Sequence, residues 1–349
     1  MRILITGNMG YVGPVAAAHL RERYPDAELV GFDSGFFSDC LTGPPPETVL
    51  DRQVFGDVRD LPADLFADFD AVIHLAAISN DPMGSRFEIV TDEINFRATL
   101  ALAEAASRAG VRNFVFASSC SVYGAADGMA RRETDRVEPL TAYGRSKIAV
   151  EQRITNRDPG GMTVTHLRFA TACGMAPRLR LDLVLNDFVA GALASRRITV
   201  LSDGTPWRPL IDVRDMARAI EWAVIRSPEN GGRLVTINVG HDAHNFRVKE
   251  LAEAVAAAIP ETEVEINMQA PPDKRSYRVD FSLFRQLAPE FVPQVTLAES
   301  IAGLREGLTE RGFADAEFRN SQHIRLKALE AHIAADRLTP DLRWRIPFH

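Results

Sequence analysis

The chain has 349 residues, 46% hydrophobic and 25% charged, and its 40 basic against 47 acidic side chains leave a formal charge of −7. That composition belongs to a folded protein large enough for two lobes and excludes a disordered chain. There is no basic run for nucleic acid and no stretch of the ~20 apolar residues that span a bilayer; three scattered cysteines, Cys40, Cys120 and Cys173, make neither a disulfide framework nor a metal site.

From Met1 the chain runs directly into a strand pattern at residues 2–6 without an apolar leader, from which a cytoplasmic protein is expected. Further β-branched or apolar runs at 28–32, 53–55, 70–75, 113–117 and 163–168 alternate with helical spacing at 11–23, 95–108 and 142–156. This rhythm predicts the α/β class, a Rossmann-like doubly wound parallel sheet. Beyond Phe169 the chain becomes irregular, with Pro177, Pro206 and Pro209, before a helix at 214–225 and a strand at 233–239 rejoin the first lobe. The predicted division is a Rossmann domain of 1–170 with 212–240 returning to it; 171–211 and 241–349 form a smaller, discontinuous substrate-binding lobe with C-terminal helices near 297–308 and 321–335. The closing Leu342-Arg343-Trp344 reads as an apolar anchor for the core or for a partner subunit.

Strand one ends in Thr6-Gly7-Asn8-Met9-Gly10-Tyr11-Val12-Gly13, three glycines spaced three apart between a strand and a helix. Gly7 suits a tight turn, Gly10 lets backbone N–H groups approach a pyrophosphate, and Gly13 allows close helix–strand packing, with Tyr11 and Val12 beside them. Such glycines also serve simple turns. Asp33, 20 residues past Gly13, is placed to accept from the adenosine ribose hydroxyls and to repel a 2′-phosphate, which favours NAD over NADP; its plainer role is to cap a loop. Asp57 and Val58 read either as a turn or as contacts to the adenine edge. His74-Leu75-Ala76-Ala77 ends strand four in small residues that let backbone lie close to a cofactor, and His74 itself reads as a packed core histidine.

Tyr143 and Lys147 stand four apart in a helical pattern, so both leave one face. A lysine ammonium beside a phenol stabilises the phenolate and draws the tyrosine pKa toward neutrality, ready for proton exchange with an alcohol; the same ammonium can hold the nicotinamide ribose. Strand five ends in Ala117-Ser118-Ser119-Cys120-Ser121, presenting hydroxyls where ligands of such sheets bind, and Ser119 is the expected hydrogen-bond partner of the reacting oxygen.

With these motifs, and with Asn95 and Asp57-Val58, the sequence resembles the extended short-chain dehydrogenase/reductases, in particular the NAD-dependent epimerase/dehydratase branch acting on nucleotide sugars. The resemblance covers almost the whole chain and includes Arg168-Phe169-Ala170-Thr171-Ala172-Cys173-Gly174 and the segment from Gly204 through Arg208 to Asp215. It implies that Tyr143 is the acid/base, Ser119 its partner and Lys147 the residue that tunes the phenol and holds the ribose. It also implies that Asn95 lies at the cofactor and that Asn186 and Arg208 grip the diphosphate of a nucleotide-diphosphate sugar, with Arg275 a further candidate or a surface salt bridge. Ser79, in the segment that follows strand four, and Thr171 are counted among the substrate contacts. A homodimer, and no nucleic-acid or membrane partner, complete the expectation.

The dehydratases of this branch carry Asp-Glu directly after the catalytic hydroxyl residue, to protonate a leaving hydroxyl and remove a carbon-bound proton; here those positions are Cys120 and Ser121. The preferred reading is therefore an NAD-dependent epimerase acting at carbon 4 through a transient keto-sugar. A reductase, dehydrogenase or decarboxylase of the same family is the alternative, and from another class a dinucleotide sensor without chemistry.

Overall fold

The computed structural model describes residues 1–125, 128–157, 160–270 and 275–346. Its first half is built from β1 (Arg2–Thr6), α1 (Gly13–Arg23), β2 (Glu28–Asp33), β3 (Arg52–Phe55), β4 (Ala71–His74), α2 (Asp81–Arg86), α3 (Glu88–Asp92), α4 (Thr99–Arg108), β5 (Asn113–Ser119), α5 (Ala142–Thr155) and β6 (Thr163–Phe169). β7 (Thr171–Cys173), α6 (Val184–Ser195), β8 (Arg197–Val200), β9 (Trp207–Asp212), α7 (Val213–Ile225) and β10 (Leu234–Val239) follow. β11 (Asn245–Arg247), α8 (Val248–Ala258), β12 (Glu263–Ile266), α9 (Ser282–Leu287), α10 (Leu297–Glu310) and α11 (Arg325–Ala334) complete the order.

Seven strands pair in the order β10-β6-β5-β4-β1-β2-β3, all parallel, with the strand order reversing at the β1/β4 boundary. Such a boundary opens a crevice beyond the carboxyl ends of the strands. Both sheet faces are covered, and the two-residue period of a strand explains why the inner strands are buried at successive positions, β4 and β6 along their whole length. Ile3 and Ile5 of β1 pack beneath α1 and α7, whereas the intervening Leu4 joins Phe114 and Phe116 on the opposite face. A third core, from α6, α8 and α10, holds the second lobe together with Leu185, Leu251 and Leu304 fully buried.

The returning helix and strand are α7 and β10, and β10 forms the sheet edge beside β6. The second lobe is more regular than its proline-rich sequence suggests, because short pairings brace it: β7 and β11 flank β9, and β8 pairs with β12. The division by sequence is corrected at two places. Val279, Phe281 and Phe284 pack into the sheet core under α7, and Leu329, Leu338 and Leu342 pack into the opposite core, so parts of 241–349 belong to the first lobe. The tail anchor thus settles on its own chain: the Trp344 indole N–H donates to the Ser34 carbonyl at 2.6 Å. No helix among the described residues is long and apolar enough to cross a membrane.

Candidate active site

The glycine turn leaves no room for side chains. Gly7 has φ +77°, and a Cβ there would lie 2.5 Å from the Ala76 backbone nitrogen; one on Gly13 would lie 2.5 Å from the Asn8 Cα. Gly7→Ala is expected to cost about 3 kcal/mol, from the left-handed backbone and the backbone clash together. It should also abolish dinucleotide binding; a urea midpoint equal to that of the unaltered protein would contradict this.

Asp33 performs the role of loop cap while facing the same space: its carboxylate accepts from Met9 N–H at 2.9 Å and Gly35 N–H at 2.8 Å. Burial raises its pKa, against the pull of those two donors. Asp57 is held by Arg59, whose guanidinium spans both carboxylate oxygens. His74 is a core histidine, its ring nitrogens bonded to the Thr6 and Thr99 hydroxyls at 2.7 and 2.8 Å, and burial lowers its pKa to about 3.

A cavity of about 1170 Å³ runs over the carboxyl ends of the sheet, from Asp33 past Ser119, Tyr143 and Lys147 to Arg208 in the second lobe. Every expected site residue lines it except Asn95 and Asn186. Asn95 is corrected to a position behind the wall: a π-helical turn, Glu93–Ala98, turns its amide to bond both the N–H and C=O of Ile78 and the Ser146 hydroxyl. It therefore fixes the backbone next to Ala77. Asn186 is likewise spent inside the second lobe, accepting from Gly174 N–H and donating to Arg180 C=O and the Tyr11 hydroxyl, so no group is left for a diphosphate. Arg275 lines the cavity and pairs with Asp81 at 2.7 Å.

At the reacting end, the Thr141 hydroxyl caps α5 by accepting from Gly144 N–H and starts the helix just ahead of Tyr143. Ser119, at the end of β5, accepts from Ser121 N–H and hydrogen-bonds the Tyr143 phenol. The Lys147 Nζ lies 5.5 Å from the centre of the Tyr143 ring and 4.6 Å from that of Phe116.

The expected tuning of the phenol is reversed in this structure. Burial pushes Tyr143 up to about 12, with Arg180 and the Ser119 hydrogen bond pulling the other way. Burial also pushes Lys147 down to about 7, opposed by the Glu151 carboxylate one helical turn on. The cause is desolvation: Lys147 is buried and Tyr143 half-buried, and the lysine lies over the ring rather than at its hydroxyl. Beneath them Glu151 is paired with Arg168 at 2.6 Å and accepts from the Ser118 hydroxyl, while Arg168 donates to the Tyr123 hydroxyl, so these buried charges are compensated.

Sequence reasoning missed Arg180 and Asp182. The Arg180 guanidinium is paired with Asp182 at 2.9 Å, donates to the Ser79 hydroxyl at 3.0 Å, and acts on the charge of Tyr143. The signal available was an Arg-x-Asp in a stretch that otherwise reads as irregular. Cys120, at the first of the two positions that departs from the dehydratase pattern, is turned into the core toward the Arg168 carbonyl, while Ser121 faces the cavity.

Residues 3–240 match the model of the NAD dependent epimerase/dehydratase family. The chain belongs to that family, and NAD is its cofactor. A UDP-glucose 4-epimerase of Streptomyces lividans is 32% identical over 276 residues, 73% of this chain and 80% of its own. The UDP-glucuronic acid decarboxylase 6 of Arabidopsis thaliana is 27% identical over 318 residues, 88% of either chain. Among solved structures, MoeE5 in complex with UDP-glucuronic acid and NAD aligns with a TM-score of 0.75 at 27% identity, over 89% of this chain and 100% of its own.

Proposed function

We propose that this protein is an NAD-dependent nucleotide-sugar epimerase acting at carbon 4. The observation that carries the reading is the meeting of Ser119, Tyr143 and Lys147 at one point of a single cavity that also takes in the glycine turn and Arg208. The residues fit the dinucleotide: a floor without Cβ atoms for its diphosphate, Asp33 for the adenosine ribose, and Lys147 for the nicotinamide ribose. When bound, NAD supplies the acceptor for the hydride of carbon 4 and its donor on the opposite face. Tyr143 takes the hydroxyl proton as the carbon–oxygen bond becomes a ketone, and gives it back to the same oxygen when the alcohol is restored. Ser119 holds that oxygen by a hydrogen bond throughout, and Arg208 and Thr171 bind the nucleotide-bearing part of the substrate. Protons and hydride both return, so the product has the mass of the substrate and no reductant is consumed.

The second-lobe segments 171–211 and part of 241–349 are assigned to the nucleotide sugar on the same reading, and a cytoplasmic homodimer is its expected setting. The test is incubation with a panel of nucleotide sugars without added reductant, products being separated and weighed. A new product of unchanged mass supports the proposal. Loss of two hydrogens or of carbon dioxide supports the dehydrogenase or decarboxylase reading, which the Arabidopsis relative favours. Loss of water overturns the argument from Cys120 and Ser121.

A further inference from the structure

Three arginines from two distant stretches of chain, Arg178, Arg180 and Arg325, lie almost wholly buried beside the cavity, within 7% exposure or less. Arg178 is paired with Glu47 and Arg180 with Asp182. Arg325 lines the cavity from the start of α11 and, among the described residues, has no carboxylate within ion-pair distance. Its guanidinium stacks over Phe37 at 4.7 Å and donates through one amino group to the Arg178 carbonyl at 2.8 Å, while the other amino group is buried without a hydrogen-bond partner. An unpaired buried guanidinium nitrogen is costly to keep, so an acceptor of opposite charge is the expected complement.

Its place along the cavity tells which acceptor. Arg325 lines the cavity together with Gly7, Gly10 and Gly13 of the glycine turn and with Asp33, and it stacks on Phe37, four residues beyond Asp33. Arg325 thus faces the cavity whose glycine turn is the seat of a dinucleotide's diphosphate. The segment that carries it is fastened over the loops that follow β2 and β3: His332 bonds the Phe36 carbonyl at 3.0 Å, Trp344 packs on Phe36, and Arg59 donates to the Asp341 and Leu342 carbonyls at 2.8 Å.

We propose that Arg325 is a cofactor-binding residue, delivered by the C-terminal segment to hold a phosphate oxygen of the dinucleotide's diphosphate. The inference rests on the reading that NAD occupies this cavity with its adenosine end at Asp33.

The test is calorimetric titration of full-length protein, freed of bound nucleotide, with NAD, ADP-ribose and UDP. Arg325→Met should weaken NAD and ADP-ribose about 30-fold, the loss of one charge-assisted hydrogen bond, with UDP changed less than about threefold. The melting temperature of the variant without ligand should not fall, because an unpaired buried cation has been removed, while the rise on adding NAD should shrink. Should the methionine variant not fold, Arg325→Lys decides: NAD weakened about tenfold with UDP unaltered supports the proposal. NAD affinity unchanged in a folded variant overturns it. So does a loss confined to UDP, which would put Arg325 on the sugar nucleotide. If the unaltered protein binds UDP but not NAD, the reading of the cavity fails first, and the inference with it.

Discussion

Tyr143→Phe is expected to lower kcat by about 10³-fold while NAD and nucleotide-sugar affinities stay within about threefold. The substitution removes one oxygen from a half-buried ring on a capped helix, so the cavity keeps its shape and the loss falls on proton transfer alone. The phenol, raised to about 12 by burial, holds its proton at neutral pH in this structure. Only the phenolate can remove the hydroxyl proton of the sugar, so kcat/KM of the unaltered enzyme should rise with pH, and that slope should vanish in the residual rate of the variant. The charges available to bring the phenol into range are Lys147 in its protonated form and Arg180, both within the same desolvated space, where Coulomb effects are stronger than in water. Steady-state kinetics with parallel NAD titrations provide the check. A kcat that survives the substitution removes Tyr143 from the chemistry; NAD binding that is lost with kcat would mean the ring is needed to shape the site rather than to move a proton.

Much of the fold was legible because one physical pattern dominates it. A parallel sheet buried on both faces favours apolar strands, and β1 and the first half of β5 read as such, whereas β6 buries Thr163, Thr165, His166 and Arg168 among its apolar residues. The glycine turn was legible for a similar reason, since a Cβ at Gly7 would strike backbone. What sequence patterns cannot carry is partnership across distant segments. Asn95 and Asn186 have the donors and acceptors of ligand-binding residues, and only the fold reveals that Ile78, Gly174, Arg180 and Tyr11 have taken them. Arg325 is the converse case: an arginine in a C-terminal helix reads as a solvated face until the chain folds it 1% exposed against Phe37. The direction of the Tyr143 shift was missed because four-residue spacing reports a shared helix face but not how much water that face loses.

Lys147→Met is expected to abolish most activity and yet to make the folded chain more stable below neutrality. The lysine is 2% exposed, and its pKa falls from 10.5 to about 7. By linkage, the unfolded chain holds this proton up to about pH 10.5, whereas the folded chain releases it near pH 7. Between those values the unfolded state binds more protons, so the stability of the unaltered protein rises with pH, and the cost of the buried charge is complete below about pH 7. A shift of this size corresponds to about 5 kcal/mol, against about 2 kcal/mol that the ammonium recovers over the Phe116 ring. Burial outweighs the ring contact, and methionine keeps the volume, so the variant should gain about 2–3 kcal/mol at low pH, the gain fading toward about pH 10. Activity should fall by at least about 100-fold, because the ammonium beside the phenol and the donor to a ribose hydroxyl are then both lost, and Arg180 alone is left to act on the phenol. Urea midpoints at about pH 6 and about pH 10 measure the first effect. A variant less stable at both would mean that the buried ammonium is favourably solvated by Glu151 and the rings around it. Tolerating a buried charge that weakens the fold is then intelligible as a requirement of the reaction: the ammonium is kept where the phenolate has to form.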